Sequence, residues 1–227
     1  MNKEHAQGHR ERLRQRFINA GAEGMHDYEI IELLLTFVIP RRDVKPVAKD
    51  LLSHFGSISG IFDAPVRELS KIKGIGNNAA IMISSIKDIC GAYLADRMLD
   101  TDVLSSPGDV RNFSRMKLSG LPEEAFMVIY LNIKNHVITH DILIRGTVDQ
   151  AAVYPRKIVK HTLENNASGI ILVHNHPSGI CDPSCEDIRM TDAVKTALST
   201  IDVKLLDHII VGKSGYYSFL EHKLIGK

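Results

Sequence analysis

The spacing of apolar residues divides the chain into two halves with different secondary structure. Over residues 1 to about 98, apolar positions recur at helical intervals and polar turns interrupt them. The apolar segment Tyr28–Ile39 follows Asp27, a residue type favoured as a helix cap. A further helix is predicted over Val44–Phe55, closed by Gly56. The first half is therefore predicted to be helical.

The second half alternates strands with helices. Short β-branched runs bounded by turn residues predict strands, and stretches with one apolar face at helical spacing predict helices. The predicted strands are Phe126–Ile133, Val137–Val148 with Gly146 as a bulge, Ile170–Val173, and Val203–Val211, and predicted helices begin near Pro107, Pro155 and Ser184. This order predicts an α/β domain with a mixed sheet flanked by helices.

A polar, turn-rich stretch, Leu99–Pro107, separates the two halves and is predicted to be a linker. We expect a helical domain over residues 1–100 and an α/β domain over residues 105–227. A chain of 227 residues is long enough for two modest domains, each with its own core.

Composition and charge exclude several classes of protein. No stretch approaches about eighteen uninterrupted apolar residues, and the N-terminus is too polar for a signal peptide, so no membrane association is expected. With only Cys90, Cys181 and Cys185, a disulfide framework is not expected, which predicts a cytoplasmic protein. Since the formal net charge is +1, any contact with nucleic acid must come from a local patch.

Candidate chemistry concentrates in one stretch of the second half. His174 and His176 end the apolar run Ile170–Val173, and residues two apart in a strand point the same way, so the imidazoles share a face. Ser184 precedes Asp187 by three residues, which is typical of a helix N-terminus and puts Asp187 in the first helical turn. Two His and one Asp with a fourth position open form the layout of a catalytic zinc site. We therefore predict one Zn²⁺ per chain.

Each of these residues also has a simpler explanation. A single His at a strand end is more often packed or solvated, and Ser184 and Asp187 could act only as a helix cap and a favourable charge. Cys181 and Cys185 lie close by, and a site closed by a thiolate would be structural. His208, in a predicted strand, is expected to pack near the ligands rather than to bind metal. The combination of residues at this spacing favours the metal site.

The spacing resembles a known motif. From His174 the order is His, one residue, His, seven residues, Ser, two residues, Asp, which resembles the JAMM motif of MPN-domain zinc hydrolases. The run His174–Gly179, HNHPSG, resembles the RadC family in particular. That family's loop usually continues Asp-Pro-x-Pro-Ser, whereas Ile180, Cys181 and Asp182 precede Pro-Ser here. This difference affects the shape of the loop more than the spacing of the ligands.

The resemblance extends to the first half, and competing motifs fail on detail. The stretches GHRERLRQRF and DYEIIELLLTFVIPRRDVKPVAKDLL resemble the N-terminal domain that accompanies RadC proteins, so essentially the whole chain is covered. The residues of the His-Asn-His nuclease motif are dispersed along a longer segment. A zinc deaminase needs His-x-Glu together with Pro-Cys-x-x-Cys, and the chain has no Pro-Cys-x-x-Cys.

The resemblance implies a zinc-dependent hydrolase of peptide or isopeptide bonds, in which a Glu upstream of the His pair is the general base. It points to Glu124, with Glu123 as the nearest rival, while Asp141 and Glu164 are open on chemistry alone. Ser184, which matches the motif Ser, would help to hold the oxyanion. Zinc bound in such a site lowers the pKa of water from about 15.7 towards 7 and polarises a carbonyl.

The segment Leu69–Ala80 predicts a helix-hairpin-helix. Gly74 and Gly76 allow a tight turn, and the N-terminus of the following helix offers amides to an anion such as phosphate. Lys71 and Lys73 add positive charge. Many such units serve only as packing elements, and if this one binds DNA, its contacts go to the backbone and carry no sequence preference.

Two functions follow from these observations. The preferred one is a zinc metallopeptidase or isopeptidase of the RadC type, acting on an unknown peptide or protein substrate and attached to a helical domain that contacts DNA. The alternative is an accessory protein of DNA repair or recombination whose zinc domain is a structural or recognition module. The basic run His9–Phe17 could also touch phosphate, although a solvated face is the commoner explanation. The intact ligand set with an available Glu favours catalysis.

Overall fold

The computed structural model describes residues 3–99, 102–146, 154–213 and 215–225. By its contacts the chain divides into two units, Met1–Ile89 and Cys90–Lys227. The division falls inside a long helix, α6 (Asn77–Met98), whereas the sequence placed a boundary after that helix. Within the part that the structure describes, none of the helices combines the length and apolar character needed to cross a membrane.

The first unit is built of helices, as predicted. Its elements before α6 are α1 (Lys3–Ala20), a 3-10 turn (Ala22–Gly24), α2 (Asp27–Val38), α3 (Lys45–Phe55), α4 (Ile58–Asp63) and α5 (Val66–Leu69). Buried side chains of α2 to α6 form its core, among them Ile31, Leu35, Leu51, Ile61 and Ile83. The helices are held by packing of these apolar faces, because most helical stability in proteins comes from tertiary contacts.

Local chemistry explains where the helices of this unit begin and end. The cap of α2 is His26 and not Asp27, which corrects the prediction. The carbonyl oxygen of His26 accepts the N–H of Glu29 at 2.8 Å, and the Glu29 carboxylate accepts the N–H of His26 at 3.1 Å. Helix α3 ends at Gly56, whose φ of 79° is a left-handed conformation that glycine adopts without strain.

The predicted helix-hairpin-helix segment contains α5, a turn and the start of α6. Gly74 has a φ of 101°, and a Cβ there would lie 3.1 Å from side-chain atoms of Arg42 and Val47. Ile75 is buried in the core of the unit. Since α5 spans only four residues, the helix-hairpin-helix stays a prediction.

The basic run of α1 is partly engaged within its own unit. Arg10 donates to the carbonyl oxygens of Thr36 at 3.2 Å and Ile39 at 2.7 Å, at the C-terminal end of α2. Arg16 pairs with the carboxylate of Glu29. These contacts hold α1 on α2, while the Arg16 side chain stays 50% exposed, so the basic run is partly the solvated face that such runs commonly form.

The second unit is a mixed sheet with helices on both faces, which confirms the predicted α/β class. Its strands are β1 (Ala125–Leu131), β2 (Val137–Arg145), β3 (Gly169–Asn175), β4 (Lys204–Val211) and β5 (Tyr216–Ser218), in the order β2-β1-β3-β4-β5. Its helices are α7 (Pro107–Leu118), α8 (Pro155–Glu164) and α9 (Cys185–Ser199). Strands β3 and β4 are parallel, and the other neighbours are antiparallel.

Alternate residues of the central strands face two separate cores. The core beneath α7 contains Phe113, Met127, Ile129, Ile171 and Val173. The core beneath α8 and α9 contains Phe126, Val128, Leu172, Val194 and Ile210. Because successive strand side chains point to opposite faces, this alternation also decides the face of each side chain at the strand ends.

The irregular positions of β2 differ from the prediction. Its pairing with β1 skips Ile138 and Leu143, so the bulges lie there and not at Gly146. Gly146 follows the strand, and its N–H donates to the carbonyl oxygen of Glu124 at 3.0 Å. The remainder of the predicted strand, with Val148, lies outside the described residues.

The predicted linker packs against the second unit. Leu99 forms a β-bridge with Val137, and the N–H of Val103 donates to the carbonyl oxygen of Asn135 at 3.1 Å. Val103 is buried in the core beneath α7. Turn-rich composition correctly indicated irregular backbone, but the buried Val103 makes this stretch part of the unit.

Candidate metal centre

The three predicted ligands meet at one edge of the sheet. Since β3 and β4 are parallel and β1 is antiparallel to β3, the ends of β3 and β4 share this edge with the start of β1. His174 lies at the end of β3, His176 just follows it, and Asp187 lies in the first turn of α9. Their ligand atoms lie within 4.8 Å of one another, and no other group of three such residues does so in the described parts of the chain.

Both imidazoles direct Nε2 towards the Asp187 carboxylate. His174 Nε2 lies 3.1 Å from Oδ1, His176 Nε2 lies 3.5 Å from Oδ2, and the two Nε2 atoms are 3.0 Å apart. The side chains are 6%, 15% and 15% exposed, respectively, for His174, His176 and Asp187. Charges in this group are therefore only weakly screened by water.

Ser184 holds the Asp187 carboxylate in place. Its Oγ accepts the N–H of Asp187 at 3.1 Å, while its own N–H and hydroxyl donate to Oδ2 at 2.8 Å and 2.6 Å. This is the capping box that the Ser-x-x-Asp spacing predicts. Because the hydroxyl proton is directed at Oδ2, Ser184 orients a ligand here, and its role at an oxyanion stays a prediction.

The site favours an ionised carboxylate and positive charge beside it. Burial opposes ionisation of Asp187, but hydrogen bonds with His174 and His176 outweigh it and hold the pKa of this carboxyl below its usual range. The hydrogen bond with Asp187 raises the pKa of His176 despite burial, and the Ile180 carbonyl and Glu124 act in the same direction. The group thus attracts a cation, either a proton or a metal ion.

The orientation of His176 is set by the loop that follows it. His176 Nδ1 lies 2.8 Å from the carbonyl oxygen of Ile180, which can only accept, so Nδ1 carries a proton and Nε2 of the neutral ring has a free lone pair. The loop Gly179–Cys181 packs directly on Gly212, where a Cβ would lie 2.5 Å from a carbonyl oxygen of the loop. Only glycine permits this approach.

His174 is supported by side chains instead. Its Nδ1 lies 2.8 Å from Nε2 of His208, and Nδ1 of His208 lies 2.6 Å from the Thr191 hydroxyl. His208 is fully buried in β4, and burial, followed by the charge of His174, lowers the pKa of His208 well below its ordinary value. Sequence reasoning missed Thr191, whose only signal is its position one helical turn after Asp187.

Glu124 directly precedes β1 at the same edge. By strand alternation it shares the face of Phe126, whose ring stacks on that of His174 with centroids 6.1 Å apart. Its charge contributes to the raised pKa of His176. Glu123 lies in the bend before the strand and is exposed, whereas Glu124 is half-buried.

Asn175 ties the segment before β1 to the end of β3. Its Oδ1 accepts the N–H of Ala125 at 2.7 Å, and its Nδ2 donates to the carbonyl oxygen of Glu123 at 3.1 Å. Asn175 is buried and points away from the face of its two His neighbours. It therefore sets where Glu124 stands relative to the metal ligands. Sequence reasoning did not single out this residue.

The remaining chemical candidates of this unit lie outside the ligand group. Asp141 and Glu164 lie 3.9 Å and 3.8 Å from Nδ1 of His161, in a separate cluster on β2 and α8. Cys185 is exposed, and burial raises the pKa of the Cys181 thiol, which disfavours a thiolate ligand. Neither cysteine belongs to the three-residue group.

The residues proposed for DNA contact lie in the first unit. Lys71 is paired with Glu68 at 2.6 Å, while Lys73 and Gly76 are exposed and Gly74 is half-buried. The metal ligands belong to the second unit.

A cleft of about 270 Å³ opens beside His176, the one metal ligand among its lining residues. Its lining includes Asn175, His176, Pro177, Gly212 and Lys213, together with residues 119–122. The cleft therefore leaves one side of His176 accessible.

Comparison with known proteins identifies the family of the chain. A family model described as RadC-like JAB domain matches residues 104–224, and one described as UPF0758 N-terminal matches residues 6–81. A UPF0758 protein of Fusobacterium nucleatum is 40% identical over 99% of this chain and 100% of its own length. A UPF0758 protein of Ruegeria pomeroyi is 41% identical over 93% and 94%, and one of Rhodobacter capsulatus is 40% identical over 94% and 100%. The chain therefore belongs to the family of RadC-like JAB domain proteins, as its motifs predicted.

Proposed function

We propose that this protein is a zinc-dependent hydrolase of peptide or isopeptide bonds. The observation that carries the proposal is the convergence of two imidazole nitrogens and a carboxylate within 4.8 Å, with the charge of the half-buried Glu124 acting on His176. Two His and one carboxylate with an open fourth position are the donor set of catalytic zinc sites. The JAB domain family to which the chain belongs also includes hydrolases.

The donor atoms of the site fit a metal ion. With both rings neutral and protonated on Nδ1, two Nε2 lone pairs face each other at 3.0 Å, next to a carboxylate oxygen 3.1 Å from one of them. Acceptors this close repel one another unless a cation lies among them. His174, His176 and Asp187 would hold the ion. When bound, zinc supplies a Lewis acid that makes water more acidic and polarises a carbonyl.

Glu124 is the proposed general base. It accepts the proton of the attacking water and delivers it to the leaving amine, the role that amide hydrolysis requires. Partial burial, the face that it shares with Phe126 and its effect on the pKa of His176 support this assignment over Glu123.

Ser184 is proposed to donate to the oxyanion of the substrate. For this the hydroxyl has to turn away from Oδ2 of Asp187, where it donates at 2.6 Å. The ligand would stay in place, because the backbone N–H of Ser184 continues to donate to the same oxygen at 2.8 Å.

The alternative function is that of a DNA repair or recombination accessory protein with a structural zinc module. Structural zinc sites have four protein ligands, whereas the group here has three, and a cleft opens beside one of them, His176. An open position adjoining a cleft favours catalysis.

The test compares Glu124→Gln with the matched control Glu123→Gln. Glu124→Gln should keep zinc and fold while losing about 10²- to 10⁴-fold in cleavage, because the amide cannot accept a proton. Glu123→Gln should cleave like the wild type. The readouts are metal content and mass-spectrometric detection of cleavage in a peptide and isopeptide library. Equal cleavage by Glu124→Gln and wild type would reject this base, and no cleavage by zinc-loaded wild type would favour the alternative function.

A further inference from the structure

A chain of hydrogen bonds leaves the metal centre at one ligand and returns to another. It runs from Nδ1 of His174 to His208 on β4, and from His208 to the hydroxyl of Thr191 on α9. The Thr191 hydroxyl in turn lies 2.5 Å from the carbonyl oxygen of Asp187, the residue that supplies the third ligand. Three elements of the unit are thus connected around the site.

Each proton in this series of hydrogen bonds has one permitted position. The carbonyl oxygen of Asp187 can only accept, so the Thr191 hydroxyl donates to it and accepts from Nδ1 of His208. A neutral His208 protonated on Nδ1 can only accept at Nε2, so the proton between the two rings belongs to Nδ1 of His174. The Nε2 atom of His174 is then left without a proton and is free to bind metal.

The surroundings of His208 prevent it from adopting other arrangements. The residue is 0% exposed, and the ring of Phe219 stacks on it with centroids 4.6 Å apart. The Phe126 ring lies on another side at 6.1 Å. Water cannot replace Thr191 or His174 as a partner, because the ring is fully enclosed.

We propose that His208 and Thr191 are positioning residues of the metal centre, which together fix the proton of His174 on Nδ1 and hold the first turn of α9 against the end of β3. This role is additional to the ligand set and the base, and it rests on the proposed metal centre. Partners of this kind orient metal-binding histidines and typically change metal affinity by about 10- to 100-fold.

The experiment uses two pairs of variants of the full chain. Thr191→Val keeps the shape but removes the hydroxyl, and Thr191→Ser restores it. His208→Leu removes the acceptor for His174, and His208→Gln supplies an amide oxygen that can accept in its place. If one pair fails to fold, as judged by circular dichroism, the other pair carries the test.

Two readouts are expected to move together. In metal-free protein labelled with ¹⁵N-histidine, at a pH where the rings are neutral, wild type and Thr191→Ser should show His174 protonated on Nδ1. Thr191→Val should shift the proton to Nε2 and raise the zinc Kd by about 10- to 100-fold. His208→Leu should raise the Kd similarly, with His208→Gln closer to wild type.

The proposal and the catalytic function fail in different ways. An Nε2 proton on His174 in wild type, or Thr191→Val and His208→Leu with unchanged tautomer and zinc Kd, overturns the positioning role. The tautomer measurement needs neither zinc nor substrate. A wild type with the expected tautomer but no hydrolysis would contradict the proposed function and support the positioning role.

Discussion

At the residue scale, the two metal-binding rings are oriented by different kinds of partner. His176 is held by a backbone carbonyl, that of Ile180, whereas His174 is held by a side chain, that of His208. A backbone partner depends on the path of the loop, and a side-chain partner depends on a single residue. Substitutions can therefore alter the orientation of His174 without moving the chain, but that of His176 only by moving the loop.

The ligand set makes a direct prediction about metal content. His176→Ala should remove most of the zinc, because two remaining donors bind far more weakly than three. Cys181→Ser and Cys185→Ser should retain about one zinc per chain, since neither thiol belongs to the ligand group. Elemental analysis of the purified variants measures this. Loss of zinc in a cysteine variant, with retention in His176→Ala, would refute the set.

The pKa of His176 predicts how the metal-free protein responds to pH. Asp187 raises this pKa above the unfolded value of about 6.5, so the charged pair stabilises the fold fully below pH about 6.5. This stabilisation is lost as the pH rises through the higher folded pKa. Urea unfolding of metal-free protein from pH 6 to 9 should show the decline, and His176→Gln should lack it. Zinc affinity should rise over the same range, because protons compete with metal. A wild-type profile identical to that of His176→Gln would contradict the prediction.

At the element scale, the end of β3 serves both faces of the sheet. His174 and His176 project to the face covered by α9, and Asn175 between them projects to the other face. Strand periodicity thus lets one short segment bind metal and anchor the neighbouring strand. Gly212, which follows β4, fixes a second segment here, because its lack of a side chain lets the loop Gly179–Cys181 pack directly against it.

Asn175→Ala should separate the placement of the base from metal binding. It removes the hydrogen bonds to Ala125 and Glu123 and should cost about 1–3 kcal/mol of unfolding free energy, because buried backbone groups lose their partner. Zinc content should stay near wild type while cleavage falls. The control is Asn132→Ala, which removes a similar cap on backbone N–H groups in the turn between β1 and β2. Equal effects of both variants on cleavage at matched stability would show that Asn175 has no specific role.

At the scale of the whole molecule, the DNA-binding proposal concerns the first unit alone. Gly76, Asn77 and Asn78 are exposed at the start of α6, with Lys73 beside them in the chain, whereas Lys71 is partly neutralised by Glu68. The exposed start of a 22-residue helix offers backbone N–H groups to a phosphate. Such contacts would be independent of DNA sequence.

This proposal predicts salt-sensitive binding by the full chain. The logarithm of the binding constant for duplex DNA should fall with the logarithm of the salt concentration, with a slope of about −0.9 for each phosphate contact. Gly76→Asp should weaken binding by adding a negative charge at the helix start. Gly215→Asp adds the same charge in the second unit and serves as the control. Fluorescence anisotropy measures both, and equal binding by the two variants would indicate that this segment only packs.

The features that the sequence determined by itself are local in origin. The helical first half follows from apolar periodicity, and the ligand trio follows from two short-range rules. Residues two apart in a strand share a face, which places His174 and His176 on the same side. Ser184 caps the helix whose first turn contains Asp187. Both rules operate within a few residues, so they can be applied before the fold is known.

Tertiary structure alone decided the features that depend on distant neighbours. The sequence predicted that His208 packs near the ligands, but its bond to the ring of His174, 34 residues away, depends on the parallel pairing of β3 with β4. Asn175 meets a strand 50 residues earlier through the antiparallel register of β1 with β3. The contacts of the predicted linker likewise depend on β2, a strand that comes later in the chain. A hydrogen bond between such residues depends on sheet register and burial, which many distant residues determine together, and no local pattern encodes it.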